Sequence, residues 1–350
     1  MKFKKMISLG AVLLLATSTL TGCASGKNSS EVLNIYNVGD YIEEDLLKKF
    51  EDETGIDIVY ETFDTNEAMY QKVKSGSSNY DLVIPSDYMI EKMISEDMLL
   101  ELDFNNIPNM KNINGEFLNP EYDDNNEYSV PYMWGTFGIL YNKTLVDDTV
   151  DSWDILWNDK YEGEIQMLDS VRDTFGIALK KLGYSLNTID PDQIAEAEEE
   201  LKNQKPLVQA YVNDDGKDRL LNDEAAMGIV YSGDALVLIE ENENLEYVIP
   251  KEGTNKWVDA MVVPNTAENK DYAEMFINFM LDTENAVANI DYIGYSTPNL
   301  AAYDLLDEEV RNDEIAYPSQ EVLDNSEVFV NLSNDTLKLY DDAWTRIKSQ

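Results

Sequence analysis

The chain contains no histidine and a single cysteine, Cys23. Nucleophilic catalysis through Ser-His-Asp or Cys-His arrangements is therefore excluded. Zinc, copper and iron sites built on imidazole or thiolate are all but excluded. A calcium site made of carboxylates alone stays open. Its densest candidate, Asp123-Asp124-Asn125-Asn126-Glu127, lacks the glycine and distal glutamate of an EF-hand loop and reads as a turn. Positive charge is also scarce: 26 Lys and Arg stand against 69 Asp and Glu, a formal net charge of -43. Such a field repels phosphate backbones, which argues against nucleic-acid partners, and it draws cations in. Most of these acids solvate the surface, so charge sets a bias and identifies no ligand.

A long hydrophobic run is missing too. Lys2, Lys4 and Lys5 precede an apolar stretch from Met6 to Leu20, about 15 residues where a membrane span needs ~20. Leu20-Thr21-Gly22-Cys23 follows, a small-residue cleavage site ending in the one thiol. This resembles a bacterial lipobox, so residues 1–22 are expected to be a lipoprotein signal peptide, with Cys23 lipidated on the extracytoplasmic face of the cell membrane. Losing that segment removes three lysines and no acid, leaving 23 basic and 69 acidic residues, or -46. Residues 23–31, rich in Ser, Gly and Asn, read as a tether.

At 350 residues the chain has room for two domains with cores of their own. From Val32 it alternates strand and helix: strands at Val32–Tyr36, Ile56–Tyr60 and Tyr80–Ile84, with helical spacing in Glu43–Thr54 and Asn66–Lys74. Pro85-Ser86-Asp87 opens a further helix, with Ser86 or Asp87 as its cap. Such alternation implies a mostly parallel sheet, with ligands at the carboxyl ends of its strands. Asp40, Tyr41, Ser86 and Tyr88 fall at those ends. Tyr128 to Asn142 reads as a long strand crossing between domains, with Gly135 and Gly138 suited to a hinge. Residues 152–204 read as mainly helical. Ala267–Ala288 is expected to form one amphipathic helix, and Leu332–Ile347 a closing helix.

The strand after the Lys251-Glu252-Gly253 turn is the most informative stretch. Side chains two apart on a strand share a face, so Trp257 and Asp259 point one way while Val258, Ala260 and Val262 point into a core. An indole beside a carboxylate suits an organic cation, through a cation–π contact of roughly 0.5–2 kcal/mol and a charge-assisted hydrogen bond of roughly 1.5–3 kcal/mol. The plainer alternative is a core tryptophan with an aspartate at a strand end. Two α/β domains joined by two crossing strands make a hinged clamp, with lobes expected over 32–138 with 258–302 and over 139–257 with 303–350.

In order along the chain, Phe50–Ile56, Asp81–Met93, Tyr128–Asn142, Lys181–Tyr184, Pro250–Asp259 and Gly294–Ala302 resemble the spermidine/putrescine-binding proteins of bacterial ABC importers. That resemblance implies the type II periplasmic-binding-protein fold and capture of a polyamine for delivery to an ABC permease, with neither catalysis nor a cofactor. It implies that Asp259 grips an amine and Trp257 walls the methylene chain, with Ser86, Tyr88, Tyr295, Asp40 and Tyr41 around them. Tyr231 stands where the family has a second cleft tryptophan, and Val38, Gly39 and Phe329 also depart from its pattern. The family's Asp-Asp-Ala-Arg-Glu segment reads Asp169-Ser170-Val171-Arg172-Asp173 here, leaving Asp169 and Asp173 as alternative contacts. A micromolar Kd needs about 8 kcal/mol, more than one Trp–Asp pair supplies, so acids from both lobes are expected to take part. The rival readings are a clamp for another cationic or neutral solute, a polyamine sensor without transport, and a carboxylate hydrolase.

Overall fold

The computed structural model describes residues 31–349, so the expected signal peptide, the lipidation site Cys23 and most of the tether lie outside the described residues. Among the described residues nine strands form one sheet: β1 Val32–Val38, β2 Asp57–Phe63, β3 Leu82–Val83, β4 Ser129–Asn142, β5 Ile165–Leu168, β6 Val208–Val212, β7 Met227–Tyr231, β8 Leu245–Val248 and β9 Lys256–Val262. Their order is β2-β1-β3-β9-β4-β7-β5-β6, with β8 also paired to β4. β1 runs parallel to β2 and β3, and β5 runs parallel to β6 and β7. Between these parallel halves lie the antiparallel strands β9 and β4.

β4 carries the chain from one half to the other. Residues Ser129–Thr136 pair with β9, and Phe137–Asn142 pair with β7 and β8. Separate cores sit on either side of that change of partner. Leu33, Ile35, Phe50, Leu82, Met261 and Phe276 belong to the first; Phe137, Ile139, Trp153, Ile165, Met167 and Ile229 belong to the second. The result is two α/β lobes joined at β4 and at the chain leading into β9, the type II periplasmic-binding-protein arrangement.

Local physics accounts for two departures from the sequence expectations. β5 lies within the stretch read as helical. All four of its residues are buried, so it shows no polar alternation to betray a strand. The single helix expected over 267–288 is two, Lys270–Met280 and Thr283–Ile293. Asp282 sits between them in extended backbone, its carboxylate accepting the Glu284 N–H at 3.1 Å. Gly135 and Gly138 are needed for close approach, since a Cβ at Gly135 would stand 2.7 Å from both Trp257 and Ser232 Oγ, and one at Gly138 2.6 Å from Tyr247. The acidic stretch at 123–127 does turn: the Asp123 carboxylate accepts the N–H groups of Glu127, Tyr128 and Ser129.

Candidate ligand site

Three strands feed helices whose first turns face one cleft. β3 leads to Asp87–Ser95, β5 to Val171–Lys181 and β7 to Ser232–Glu241. The ends of β1, β2 and β6 supply Asp40 and Tyr41, Asn66 and Glu67, and Asn213 and Lys217. The cleft encloses a cavity of about 150 Å³, room for roughly ten waters at 10–15 Å³ each. Asp87, Asp173 and Asp234 each occupy the first turn of one of these helices, where the aligned peptide dipoles favour negative charge.

Rings make the wall. Trp257 packs edge-on against Tyr231, with centroids 6.0 Å apart at 89°, and against Tyr295 at 5.3 Å and 68°. Tyr295 meets Tyr41 at 5.2 Å and 89°. Each of these tyrosines also holds an acid. Tyr41 donates its hydroxyl to Asp259 Oδ2 at 2.8 Å, Tyr231 to Asp173 Oδ2 at 2.9 Å and Tyr295 to Asp234 Oδ2 at 2.9 Å. Tyr88 donates to Glu67 Oε1 at 3.0 Å in the same way. Four acids are thus oriented by four phenols, which leave the carboxylates' remaining lone pairs for other donors.

Asp259 differs from the rest in one respect. Its Oδ1 is buried and has no hydrogen-bond partner among the described residues, and neither has Trp257 Nε1. A buried acceptor left unmade costs about 1–3 kcal/mol, more when it is charged. Burial pushes the Asp259 carboxyl up to about 6, against the lowering effect of the Ser86 and Tyr41 hydroxyls. Burial raises Asp173 and Glu67 as well. It raises Asp87 to about 8, although that carboxylate accepts the Tyr88 N–H at 2.7 Å and the Val258 N–H at 3.1 Å. An unmet buried acceptor on a cavity walled by aromatic rings is a receptor for a positively charged group with an apolar stem.

Of the residues singled out in the sequence, Asp40, Tyr41, Ser86, Tyr88, Asp173, Tyr231, Trp257, Asp259 and Tyr295 all line this cavity. Ser86 pairs with Asp259 in a single antiparallel bridge, and its hydroxyl accepts from Asn66 Nδ2 at 3.0 Å. Asp40 stands at the rim in left-handed backbone, φ 49°. Asp169 does not join them. Leu168 and Ser170 face the cavity, so the residue between them points to the opposite face of the extended chain. There it forms an ion pair with Lys348 of the closing helix at 2.7 Å. Asp173 is the acid of that segment in the cleft. Glu67, Asp234 and Lys217 were not anticipated. Asp234 is the third residue of the helix after β7, as Asp173 is of the helix after β5, which was a usable signal.

Such a fold, with an acid-and-ring cleft at the strand ends, is that of a solute-binding protein. Residues 45–318 match the model of the bacterial extracellular solute-binding proteins. The spermidine/putrescine-binding periplasmic protein of Salmonella typhimurium is 39% identical over 340 residues, 96% of this chain and 97% of that protein. A putrescine/cadaverine-binding protein of Pseudomonas aeruginosa is 31% identical over 349 residues, 96% and 98% of the two chains. Among solved structures, a putative spermidine/putrescine ABC transporter from Listeria monocytogenes superposes with a TM-score of 0.88 at 44% identity, covering 91% of this chain and 99% of that one. The chain belongs to the spermidine/putrescine-binding family of bacterial extracellular solute-binding proteins.

Proposed function

We propose that this protein captures a linear polyamine, spermidine or putrescine, between its lobes and delivers it to an ABC permease. One observation carries the reading: Asp259 Oδ1 is buried, has no hydrogen-bond partner among the described residues, and belongs to a cavity that Trp257 and Tyr295 also line. An ammonium there supplies the missing donor, and its methylenes lie along the rings at about 0.8 kcal/mol each. Similarity to relatives named for spermidine, putrescine and cadaverine supports the same ligand class. In this reading the ligand is engaged through Asp259, Tyr41, Ser86, Tyr88 and Tyr295 from the first lobe, Asp173 and Tyr231 from the second, and Trp257 at the crossing strand between them, with Asp40 at the rim. Contacts completed only when both lobes are in place favour the closed state.

The lobes are then 32–138 with 258–302 and 139–257 with 303–350. Tyr303, Leu306 and Tyr317 pack on the first core and Ile315 packs against Leu140, Leu220 and Val230, so the chain passes from one lobe to the other within this stretch. The protein works outside the cytoplasm, held to the membrane by a lipid on Cys23. It binds without catalysing, in keeping with relatives named as binding proteins.

A thermal-shift panel of putrescine, spermidine, spermine, thiamine and a neutral sugar tests the reading. Stabilisation by the amines alone is expected. A response to the sugar, or none to any amine, overturns it.

A further inference from the structure

A lysine ammonium already sits in the cleft. Lys217 opens the short helix Lys217–Leu221 after β6, and its ammonium lies 2.7 Å from Asp234 Oδ1 and 3.8 Å from Asp40 Oδ2. Asp234 belongs to the helix after β7 and Asp40 to the loop after β1, so the amine bridges the two halves of the sheet. Tyr295 takes the other Asp234 oxygen. Both oxygens of Asp234 are therefore engaged, whereas Asp259 keeps one open.

The lysine is held in place. A Cβ on the preceding Gly216 would collide with the Val212 side chain and stand 3.1 Å from Gln166 Oε1. The turn is packed tightly against β5 and β6, and the lysine side chain is only 20% exposed. At another part of the cavity wall the Arg172 guanidinium lies 4.4 Å from the Phe329 ring and 5.6 Å from the Tyr88 ring. The protein's own cations therefore stand at two parts of the cavity wall, with the open acceptor of Asp259 on the same cavity.

We propose that Lys217 is a specificity-determining residue: its ammonium fills the Asp234–Asp40 seat, which limits the length of amine the cleft accepts and favours a diamine over a triamine. A second ligand ammonium reaching toward Asp234 would meet a like charge there. A short diamine avoids that encounter. Removal of the lysine charge frees Asp234 Oδ1 and Asp40 for an extra ammonium, which only the longer ligand can supply while keeping its hold on Asp259.

The inference rests on the polyamine reading, and calorimetry separates the two. Putrescine and spermidine are titrated into the wild type, Lys217→Met and Lys217→Arg, with folding checked by thermal melting. Lys217→Met keeps the unbranched apolar stem as far as Cε and removes the ammonium. It is expected to shift the ratio of the two Kd values at least tenfold toward spermidine, while Lys217→Arg stays within about threefold of wild type. Both amines binding with an unchanged ratio in Lys217→Met overturns the role of Lys217 and leaves the polyamine reading intact. Neither amine binding the wild type overturns both.

Discussion

Tyr41 and Asp259, 218 residues apart in sequence, meet through a 2.8 Å hydrogen bond that orients the carboxylate, whose Oδ1 has no partner among the described residues. The phenol comes from the loop after β1 and the acid from β9, so the pair exists only because β3 brings those strands together. Tyr41 is in turn packed edge-on against Tyr132 at 5.3 Å and against Tyr295. The aspartate is aimed by a side chain that is itself immobilised, which is how a binding site keeps its geometry before the ligand arrives.

Asp259→Asn removes the charge and keeps the shape. Polyamine affinity should fall by about 2 kcal/mol or more, thirty-fold or greater by calorimetry, because the ligand ammonium loses its buried partner. An affinity within threefold of wild type would place the ligand's amine elsewhere.

Stability should depend on pH in a defined direction. The Asp259 carboxyl is raised from 3.8 to about 6 in the folded protein. Between those values the folded state holds a proton that the unfolded state has released, so stability falls as pH rises through about 6. The contribution is present below about 4 and amounts to on the order of 3 kcal/mol. Denaturant melts of ligand-free wild type and Asp259→Asn from pH 4 to 7 should show a steeper decline in the wild type. Parallel curves would mean that Asp259 titrates normally.

Trp257→Ala should weaken polyamine binding by about 1–3 kcal/mol, as removal of a buried aromatic anchor does, and Trp257→Phe by less. The comparison is made by calorimetry on variants of matched thermal stability. An alanine variant that binds like wild type would show that the indole is only core filling.

Asp169→Asn should change neither property much. Its partner Lys348 is partly exposed, and such an ion pair contributes about 0–1 kcal/mol. Affinity is expected to stay within twofold, in contrast to Asp173→Asn, which disturbs the acid bonded to Tyr231. Comparable losses from both variants would contradict their placement on opposite faces.

Much of this site was legible in the sequence because strand periodicity is a strong local signal. Alternation in β9 put Trp257 and Asp259 on one face, and the ends of β1 and β3 gave Tyr41, Ser86 and Tyr88. The choice between Asp169 and Asp173 needed the boundary of β5. That strand is four buried residues long and carries no alternation, so the parity that turns Asp169 away could not be read. Lys217 and Asp234 escaped notice for a different reason. Their meaning lies in each other's company, and β6 and β7 come near the first lobe only through the folded sheet. Asp282 divides the helix expected over 267–288 by a cap that a smooth apolar period conceals.

The most direct measurement is a crystal structure of the protein with putrescine. The expected result is an ammonium nitrogen about 2.7–2.9 Å from Asp259 Oδ1, with methylenes against Trp257 and Tyr295. Putrescine bound away from Asp259, with Oδ1 still meeting no ligand nitrogen, would contradict it.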